Sequence, residues 1–454
     1  MKRVSLLFVV SSAILYAIAL LFPQYAAPLV FIFLIPLFYY LMATQDTKRP
    51  IFRIGFLWGL FFFSIALFGI FMLVLTRAQG PARVLGYLLP VIYFSLCSGA
   101  WFWCMERAFF INQPFLITFI TFLYFVAMDR WLLFVVGVCC GYPFSYPLLP
   151  LIQYPALVQG ATLVGLDALL YCLIVSSWAI ARWGHEKKGR YFIFAGISGL
   201  PFALGPLLYL QENEPAHLQK IVFLYVEPED EYPVEATGKI TVGLQAVSEQ
   251  YPQATTILMP ESSFKFSLNS HLDTVKKWCE GMAQHCTLII GSHRTESVKN
   301  DEKLHGSLFC IQQGRITHCY DKLNCLPFGE TLFQPWNSIH WIKSAFLNKK
   351  KMFAPGEKKG SLISLDNDFK FFPLICYDLF CTNNDPCTEH KSFPSLTLAN
   401  DDWFRLSSYF QHLLLLTAHR RALEWGRDGL YIAHSGGWWL GKRGKKVQLQ
   451  QLQH

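Results

Sequence analysis

Long apolar runs with very few acids dominate the first 210 residues, and this constrains the fold more than any motif does. Seven apolar runs, at 5–22, 28–44, 54–76, 86–105, 114–130, 155–182 and 191–210, are each close to the ~20 residues that cross a bilayer. A chain in lipid must satisfy its backbone hydrogen bonds internally, so the expected elements are helices. From about residue 212 the composition turns globular. Over all 454 residues the charged share is only 15% and the mean hydropathy +0.31, against roughly 25% charged in an ordinary soluble domain. The expected organisation is a membrane domain of about seven transmembrane helices over 1–211, then a soluble domain over 212–454 long enough for one core.

Loop charges orient the spans. The first run follows Met1-Lys2-Arg3, no small-residue cleavage site follows it, and Pro23-Gln24-Tyr25 leads straight into the next run. An uncleaved helix is expected rather than a signal peptide. With the N-terminus in the cytoplasm, inside segments hold ten Lys and Arg, from Lys2 to Arg190, and outside segments hold three, Arg77, Arg83 and Arg130. That bias follows the positive-inside rule and puts the second domain outside. In a bacterium this means the periplasm, tied to the inner membrane. The net charge of +8 comes partly from these loops, so no nucleic-acid partner is expected. Asp167 falls mid-run, and an intramembrane carboxylate is a functional candidate. The plainer alternatives are an Asp hydrogen-bonded inside the bundle, or a span set in the wrong place.

In the second domain, apolar strand-like runs end abruptly on a reactive side chain. Thr255–Met259 runs into Pro260-Glu261, Ile316–Tyr320 into Asp321-Lys322, and Phe371–Ile375 into Cys376-Tyr377-Asp378. A buried strand is a rigid mount for a polar side chain at its tip. Further strands are expected at 221–226, 287–291, 307–311, 395–400 and 431–433, and helices at 238–250, 271–286 and 408–425. Hairpin turns are expected at 312–315 and 442–445. Strands and helices mixed in this way suggest layered sheets with helices outside.

A cysteine attacks carbonyl carbon as its thiolate, and a free thiol with a pKa of ~8.5 is little ionised at neutral pH. A carboxylate can take the proton, and an ammonium can stabilise the thiolate or the oxyanion that follows. Glu261, Cys376 and Lys322 supply those three roles, and no Ser-His-Asp set or glycine-rich phosphate loop competes with them. The blander readings are an inert buried cysteine and a zinc site of Cys376, Cys381, Cys387 and His390, which lacks a paired C-x2-C knuckle. No metal and no organic cofactor is expected. Eight of the thirteen cysteines follow residue 212, with Cys279–Cys286 and Cys381–Cys387 as local disulfide candidates. His412 and His419 read as surface or packing residues, and Arg421 with Glu424 as a helical ion pair.

Met259-Pro260-Glu261-Ser262, Tyr320-Asp321-Lys322 through Pro327-Phe328-Gly329-Glu330, and Ile375-Cys376-Tyr377 resemble the three catalytic segments of the nitrilase superfamily. Residues 398–404 and 421–427 extend the likeness. With seven spans ahead of such a domain, the chain resembles the apolipoprotein N-acyltransferase family, which segments 55–59 and 159–165 resemble more loosely. The resemblance implies a multi-span α-helical membrane domain plus an α/β nitrilase-like α-β-β-α sandwich. It implies transfer of a fatty acyl group from a phospholipid to the cysteine, then from the thioester to the amine of a diacylglyceryl-cysteine lipoprotein. By the family pattern Glu261 is the base, Lys322 the oxyanion stabiliser, Cys376 the nucleophile and Glu330 a supporting acid. The implied partners are the phospholipid, the lipoprotein and the membrane, and a monomer is expected. Three departures stand out. Asp378 occupies a position where the family usually has Glu and is expected to support the site with a shorter arm. The first strand continues into Val226-Glu227-Pro228 rather than a Gln-Gly-Asn type of loop. The chain reaches His454 just after the final hairpin, without the family's last span.

Residues 331–354 make an apolar and basic insertion. Trp336, Trp341, Phe346 and Phe353, with Lys349, Lys350 and Lys351, suit a membrane interface, so lipid contact is expected there. The alternative is a loop packed on its own domain. Two other functions stay open: a membrane-tethered nitrilase-type hydrolase with water as acceptor, and a silent lipoprotein- or lipid-binding relative.

Overall fold

The structure is a computed structural model. It describes residues 2–453 except 45–49, 70, 73–81, 112, 131–144, 209–214, 227–232, 265, 299–300, 328, 333–337, 341–342, 344–351, 358–361, 366–368 and 382–391. The chain divides into one unit of Met1–Leu210 with Leu406–Arg420 and a second of Gln211–Arg405 with Arg421–His454.

The first unit is helical: α1 (Lys2–Leu21), α2 (Leu34–Ala43), α3 (Ile51–Ala66), α4 (Ala82–Phe110), α5 (Pro114–Arg130), α6 (Leu166–Glu186) and α7 (Gly189–Leu208), with shorter turns between them. Among the described residues four helices are long and apolar enough to cross a membrane: Pro23–Ala43, Arg83–Phe110, Leu166–Glu186 and Gly189–Leu208. Leu6–Leu21 and Ile51–Ala66 are apolar but shorter. Close packing explains the Gly55–Gly59 segment. A Cβ on Gly55 would meet Phe102 at 2.6 Å and one on Gly59 would meet Ser95 at 2.7 Å, so the two glycines let α3 lie against α4. Between them Trp58 is fully buried and donates to Ser12 Oγ at 3.1 Å.

The run expected as one span over 155–182 is broken. It forms Pro155–Val158, Ala161–Val164 and then α6, with Gly165 between them at φ +83°, a conformation that glycine adopts without strain. Asp167 is therefore not mid-span. It lies in the first turn of α6, where its carboxylate accepts from Arg130 at 2.7 Å and from the Tyr146 hydroxyl at 3.4 Å. A carboxylate is favoured at a helix N-terminus, and the arginine neutralises it. Asp129 is buried without exposure and takes both Nη groups of Arg420 at 2.6 Å.

The second unit holds two six-stranded sheets. Its strands are β1 (Ile221–Tyr225), β2 (Thr256–Leu258), β3 (Thr287–Val298), β4 (Asp301–Gln312), β5 (Arg315–Asp321), β6 (Ile363–Ser364), β7 (Lys370–Ile375), β8 (Ser395–Leu398), β9 (Gly429–Ala433), β10 (Gly436–Leu440), β11 (Lys446–Gln448) and β12 (Gln450–Gln453). The sheets run β12-β1-β2-β3-β4-β5 and β11-β10-β9-β8-β7-β6. Each combines a parallel core, β12-β1-β2-β3 or β7-β8-β9, with antiparallel partners. Parallel strands buried on both faces read as unbroken apolar runs, which is why they stand out in the sequence. Phe223, Leu258, Ile289 and Leu308 of one sheet and Phe371, Leu396, Ile432 and Trp439 of the other share one core between the sheets. The opposite faces of β1–β4, through Val222, Ile257, Ile290 and Phe309, pack on Leu244 and Trp278 of helices α8 (Pro233–Gln250) and α9 (Leu272–Glu280). The fold class is the expected one: a helical unit with membrane-length spans and a layered α/β unit. Two details differ. The β3–β4 hairpin is longer than expected, pairing from Thr287–Gln312 to Val298–Asp301. The chain also does not finish on the last hairpin, since β12 returns to pair in parallel with β1. Cys279 and Cys286 are both free thiols, so that candidate disulfide is absent; Cys387 and His390 lie outside the described residues.

Candidate active site

The three strand tips converge. Glu261 follows β2, Lys322 follows β5 and Cys376 follows β7. The chain turns sharply at two of them: Ser262, after Glu261, has φ +54°, and Cys376 itself has φ +44°. Left-handed backbone at a non-glycine residue costs about 1–3 kcal/mol and persists where the surroundings over-determine it. At Cys376 it lifts the thiol off the strand end and opens a short 3-10 turn, Cys376–Phe380. Close approach places Glu261. A Cβ on Gly291 of β3 would meet the Glu261 Cα at 2.5 Å, so only glycine lets the two strand ends lie this near.

Lys322, 2% exposed, sits between two carboxylates. Its Nζ donates to Glu261 Oε1 at 2.9 Å and to Glu330 Oε1 at 2.8 Å. Glu330 is held in turn, with its Oε2 accepting from the Leu326 N–H at 2.6 Å and its carbonyl from the Phe353 N–H at 2.9 Å. The other oxygen of Glu261 accepts from the Asn400 N–H at 2.9 Å, and its carbonyl from His434 Nε2 at 2.9 Å. The Cys376 thiol lies near enough to the Glu261 carboxylate, and to the Asn400 N–H, for each to act on it.

Burial, then the neighbouring Glu330 charge, raises the Glu261 carboxyl above its ordinary range, against the pull of Lys322. Burial alone would lower Lys322, but Glu261 and Glu330 outweigh it and hold the ammonium protonated. Burial and the Glu261 charge push the Cys376 thiol up, with Lys322 acting the other way. The resting cysteine is thus a thiol beside a carboxyl that can take its proton.

Asp378 acts on this arrangement by a different route from hydrogen bonds to Glu261, Lys322 or Cys376. It is fully buried and accepts from the Tyr320 hydroxyl at 3.0 Å, Leu323 N at 3.4 Å, Asn324 N at 2.8 Å, Asn324 Nδ2 at 3.0 Å and Ile375 N at 3.2 Å. It ties the loop after Lys322 to the turn that carries Cys376. Phe353 is placed away from a free loop. Its backbone bridges Leu304, its ring meets His293 edge-on at 5.0 Å, and it is only part-exposed. Trp336, Trp341 and Phe346 lie outside the described residues. His412 bonds Gln153 at 3.1 Å and His419 is buried, while Arg421 pairs with Glu424 and donates to the Leu379 carbonyl. Asn400 and His434 are site neighbours that side-chain reasoning missed. Asn400 carries the same signal as the others, a polar residue at the tip of an apolar strand, β8.

No family model matches the chain. The apolipoprotein N-acyltransferase of Allorhizobium ampelinum is 24% identical over 419 residues, which is 86% of this chain and 75% of that protein. The one from Rhizobium etli is 22% identical over 85% of this chain and 75% of its own length. The one from Rhodopseudomonas palustris is 29% identical over 209 residues, and there the match spans 37% of the relative's length, less than two thirds. The resemblance read from the motifs is borne out at this level: the chain is similar to several apolipoprotein N-acyltransferases. Among solved structures, a carbon-nitrogen hydrolase from Helicobacter pylori G27 matches with a TM-score of 0.37 and 12% identity over 52% of this chain and 88% of that one. Saccharomyces cerevisiae Nit3, of the nitrilase superfamily, matches with a TM-score of 0.35 and 15% identity over 49% and 82%.

Proposed function

We propose that this protein is a membrane-bound acyltransferase. It moves a fatty acyl group from a phospholipid, through a thioester on Cys376, to the N-terminal amine of a diacylglyceryl-cysteine lipoprotein. The observation that carries this reading is the set of contacts around one carboxylate: Glu261 holds the Cys376 thiol on one side and the Lys322 ammonium on the other. As the sulfur attacks the ester carbonyl, its proton passes to Glu261, which returns it to the alcohol oxygen of the lysophospholipid as the ester C–O bond breaks. Lys322 offsets first the thiolate charge and then the oxyanion, in a dry site where such charges interact strongly. Glu330 keeps the ammonium in place and Asp378 keeps the two loops in register. In the second half, the amine attacks the thioester, and Glu261 takes one amine proton and hands it to the sulfur as the C–S bond breaks. The names of the relatives support the transferase reading over a hydrolase or a silent binder, and the intact Glu-Lys-Cys contacts support an active enzyme.

In this reading residues 1–211 form the membrane domain and 212–454 the catalytic one. The excess of Lys and Arg in alternate loops favours a bacterial inner membrane with a cytoplasmic N-terminus and a periplasmic catalytic domain. The outward apolar side chains of α7, among them Ile193 at 65% and Leu207 at 79% exposure, support a lipid environment for that helix. The test is intact-mass spectrometry of the protein purified from membranes. A long-chain acyl adduct is expected on Cys376 and absent in Cys376→Ala. Acyl transfer that survives in the alanine variant would falsify the assignment.

A further inference from the structure

Three buried polar atoms near Glu261 have no hydrogen-bond partner among the described residues: Asn400 Oδ1, His434 Nδ1 and Tyr431 Oη. Buried acceptors are rarely left so in a folded protein, and each instance calls for an explanation. Their shared location suggests one. Asn400 donates its N–H to Glu261 Oε2, and His434 donates from Nε2 to the Glu261 carbonyl. The two residues follow adjacent strands, with Ala399 N bonded to Ile432 O at 2.8 Å. Their neighbours are bonded as well, since Ser435 donates its N–H and its hydroxyl to Asp401. Tyr431, 2% exposed, lies one strand residue before this pair and feels the charges of Asp401, Cys376 and Glu261.

The bond fixes one nitrogen of the imidazole, and the neutral ring is the state in which the other can accept. A carbonyl only accepts, so His434 Nε2 carries the hydrogen, and in neutral imidazole the other nitrogen is then an acceptor. The Asn400 Oδ1 is an acceptor by nature. Two unmet acceptors on residues that both bond Glu261 call for a ligand that brings donors. Of the two substrates in the acyl-transfer reading, the phospholipid ester presents only oxygen acceptors at its reacting carbon. The amine presents N–H groups.

We propose that Asn400 and His434 form the seat of the acyl-acceptor amine, taking its N–H groups so that its lone pair faces the Cys376 thioester. This rests on the acyl-transfer reading and adds a second-substrate site to it. The step balances without further reactants. The amine nitrogen forms a bond to the acyl carbon, the C–S bond breaks, and one amine proton passes through Glu261 to the Cys376 sulfur, leaving an amide and a thiol.

The test separates the two half-reactions in the full-length protein. Acylation of Cys376 from phosphatidylethanolamine vesicles is followed by intact mass. Discharge of the acyl-enzyme is then timed with a diacylglyceryl-cysteine peptide and, separately, with water alone. Asn400→Ala deletes the side-chain acceptor and keeps the backbone N–H on Glu261. His434→Gln keeps a donor for the Glu261 carbonyl and removes the Nδ1 acceptor. Both variants should acylate within about twofold of the natural protein, discharge to the peptide at least about tenfold slower, and discharge to water unchanged. Peptide discharge at the natural rate in both variants overturns the proposal. So does an equal loss of acylation and discharge, which would mean that the two residues only hold Glu261. An equal loss with peptide and water would assign them to a water seat instead. A natural protein that never acylates Cys376 brings down the acyl-transfer reading itself, and the amine seat with it.

Discussion

At the scale of single residues, one ammonium is shared by two carboxylates, and its loss should be felt in rate more than in folding. Lys322→Met is expected to slow acylation of Cys376 by roughly 10²-fold or more, as removal of an oxyanion donor does, measured as the burst rate of acyl-enzyme. The pH profile separates the roles of the two acids. Glu261 must be ionised to take the thiol proton, and burial with the Glu330 charge raises its pKa. Acylation should therefore fall on acidification at a pH above the ordinary carboxylate range. Glu330→Gln removes one of the charges that raises Glu261, so the acid limb should move to lower pH while the plateau rate drops. An unmoved limb would mean that the limb belongs to another group. Glu261, Lys322 and Cys376 were legible because each ends an apolar run, which no surface residue needs to do. Asn400 ends an apolar run too, but its bond to Glu261 is made by the backbone N–H, which side-chain identity does not advertise. His434 follows a strand as well, but a lone histidine has no spacing that marks a partner.

At the scale of elements, the catalytic acid depends on how closely β2 and β3 end together. Gly291→Ala would set a Cβ 2.5 Å from the Glu261 Cα and 2.8 Å from the Pro260 carbonyl, and backbone atoms cannot swing aside as a side-chain end can. The expected outcome is loss of acylation with a lowered melting temperature, measured on the same preparation. Retained activity at a natural melting temperature would show that the strand ends separate freely. The buried parallel strands were readable because they are continuous apolar runs. β12 was not, since Gln450-Gln451-Leu452-Gln453 has no apolar face to announce it and its place is set by pairing with β1, some 230 residues earlier in the chain. The break at Gly165 was equally hidden, because hydropathy averages over a glycine that the backbone uses for a turn. That one residue moves Asp167 from mid-span to a helix start, where Arg130 answers its charge.

At the scale of the whole molecule, the proposed reaction needs a phospholipid to reach Cys376 from a bilayer, and the composition of the insertion at 331–354 suits either lipid contact or a loop packed on its own domain. The four aromatics expected to contact lipid now divide. Phe353 is tied to the catalytic sheet, with its N–H on the Glu330 carbonyl, its backbone bridged to Leu304 and its ring against His293. Trp336, Trp341 and Phe346 have only their sequence context, apolar and followed by three lysines. Lipid contact by such residues gains ~25 cal/mol per Å² of apolar surface, and each lysine adds about 1 kcal/mol near anionic lipid. The composition of this stretch, and not any pairing, carries the expectation, which is why the sequence could suggest a membrane contact without saying which aromatics make it. Replacing Trp336, Trp341 and Phe346 together by Ser should cut acylation from vesicle phospholipid severely and leave acylation by a short water-soluble thioester nearly unchanged. Phe353→Ser should reduce both, because it loosens the mount of Glu330 and through it Lys322. Measuring both donors on both variants decides the matter: equal loss with both donors in the triple variant would make the insertion part of the active site, and equal retention would make it a surface loop with no part in lipid delivery.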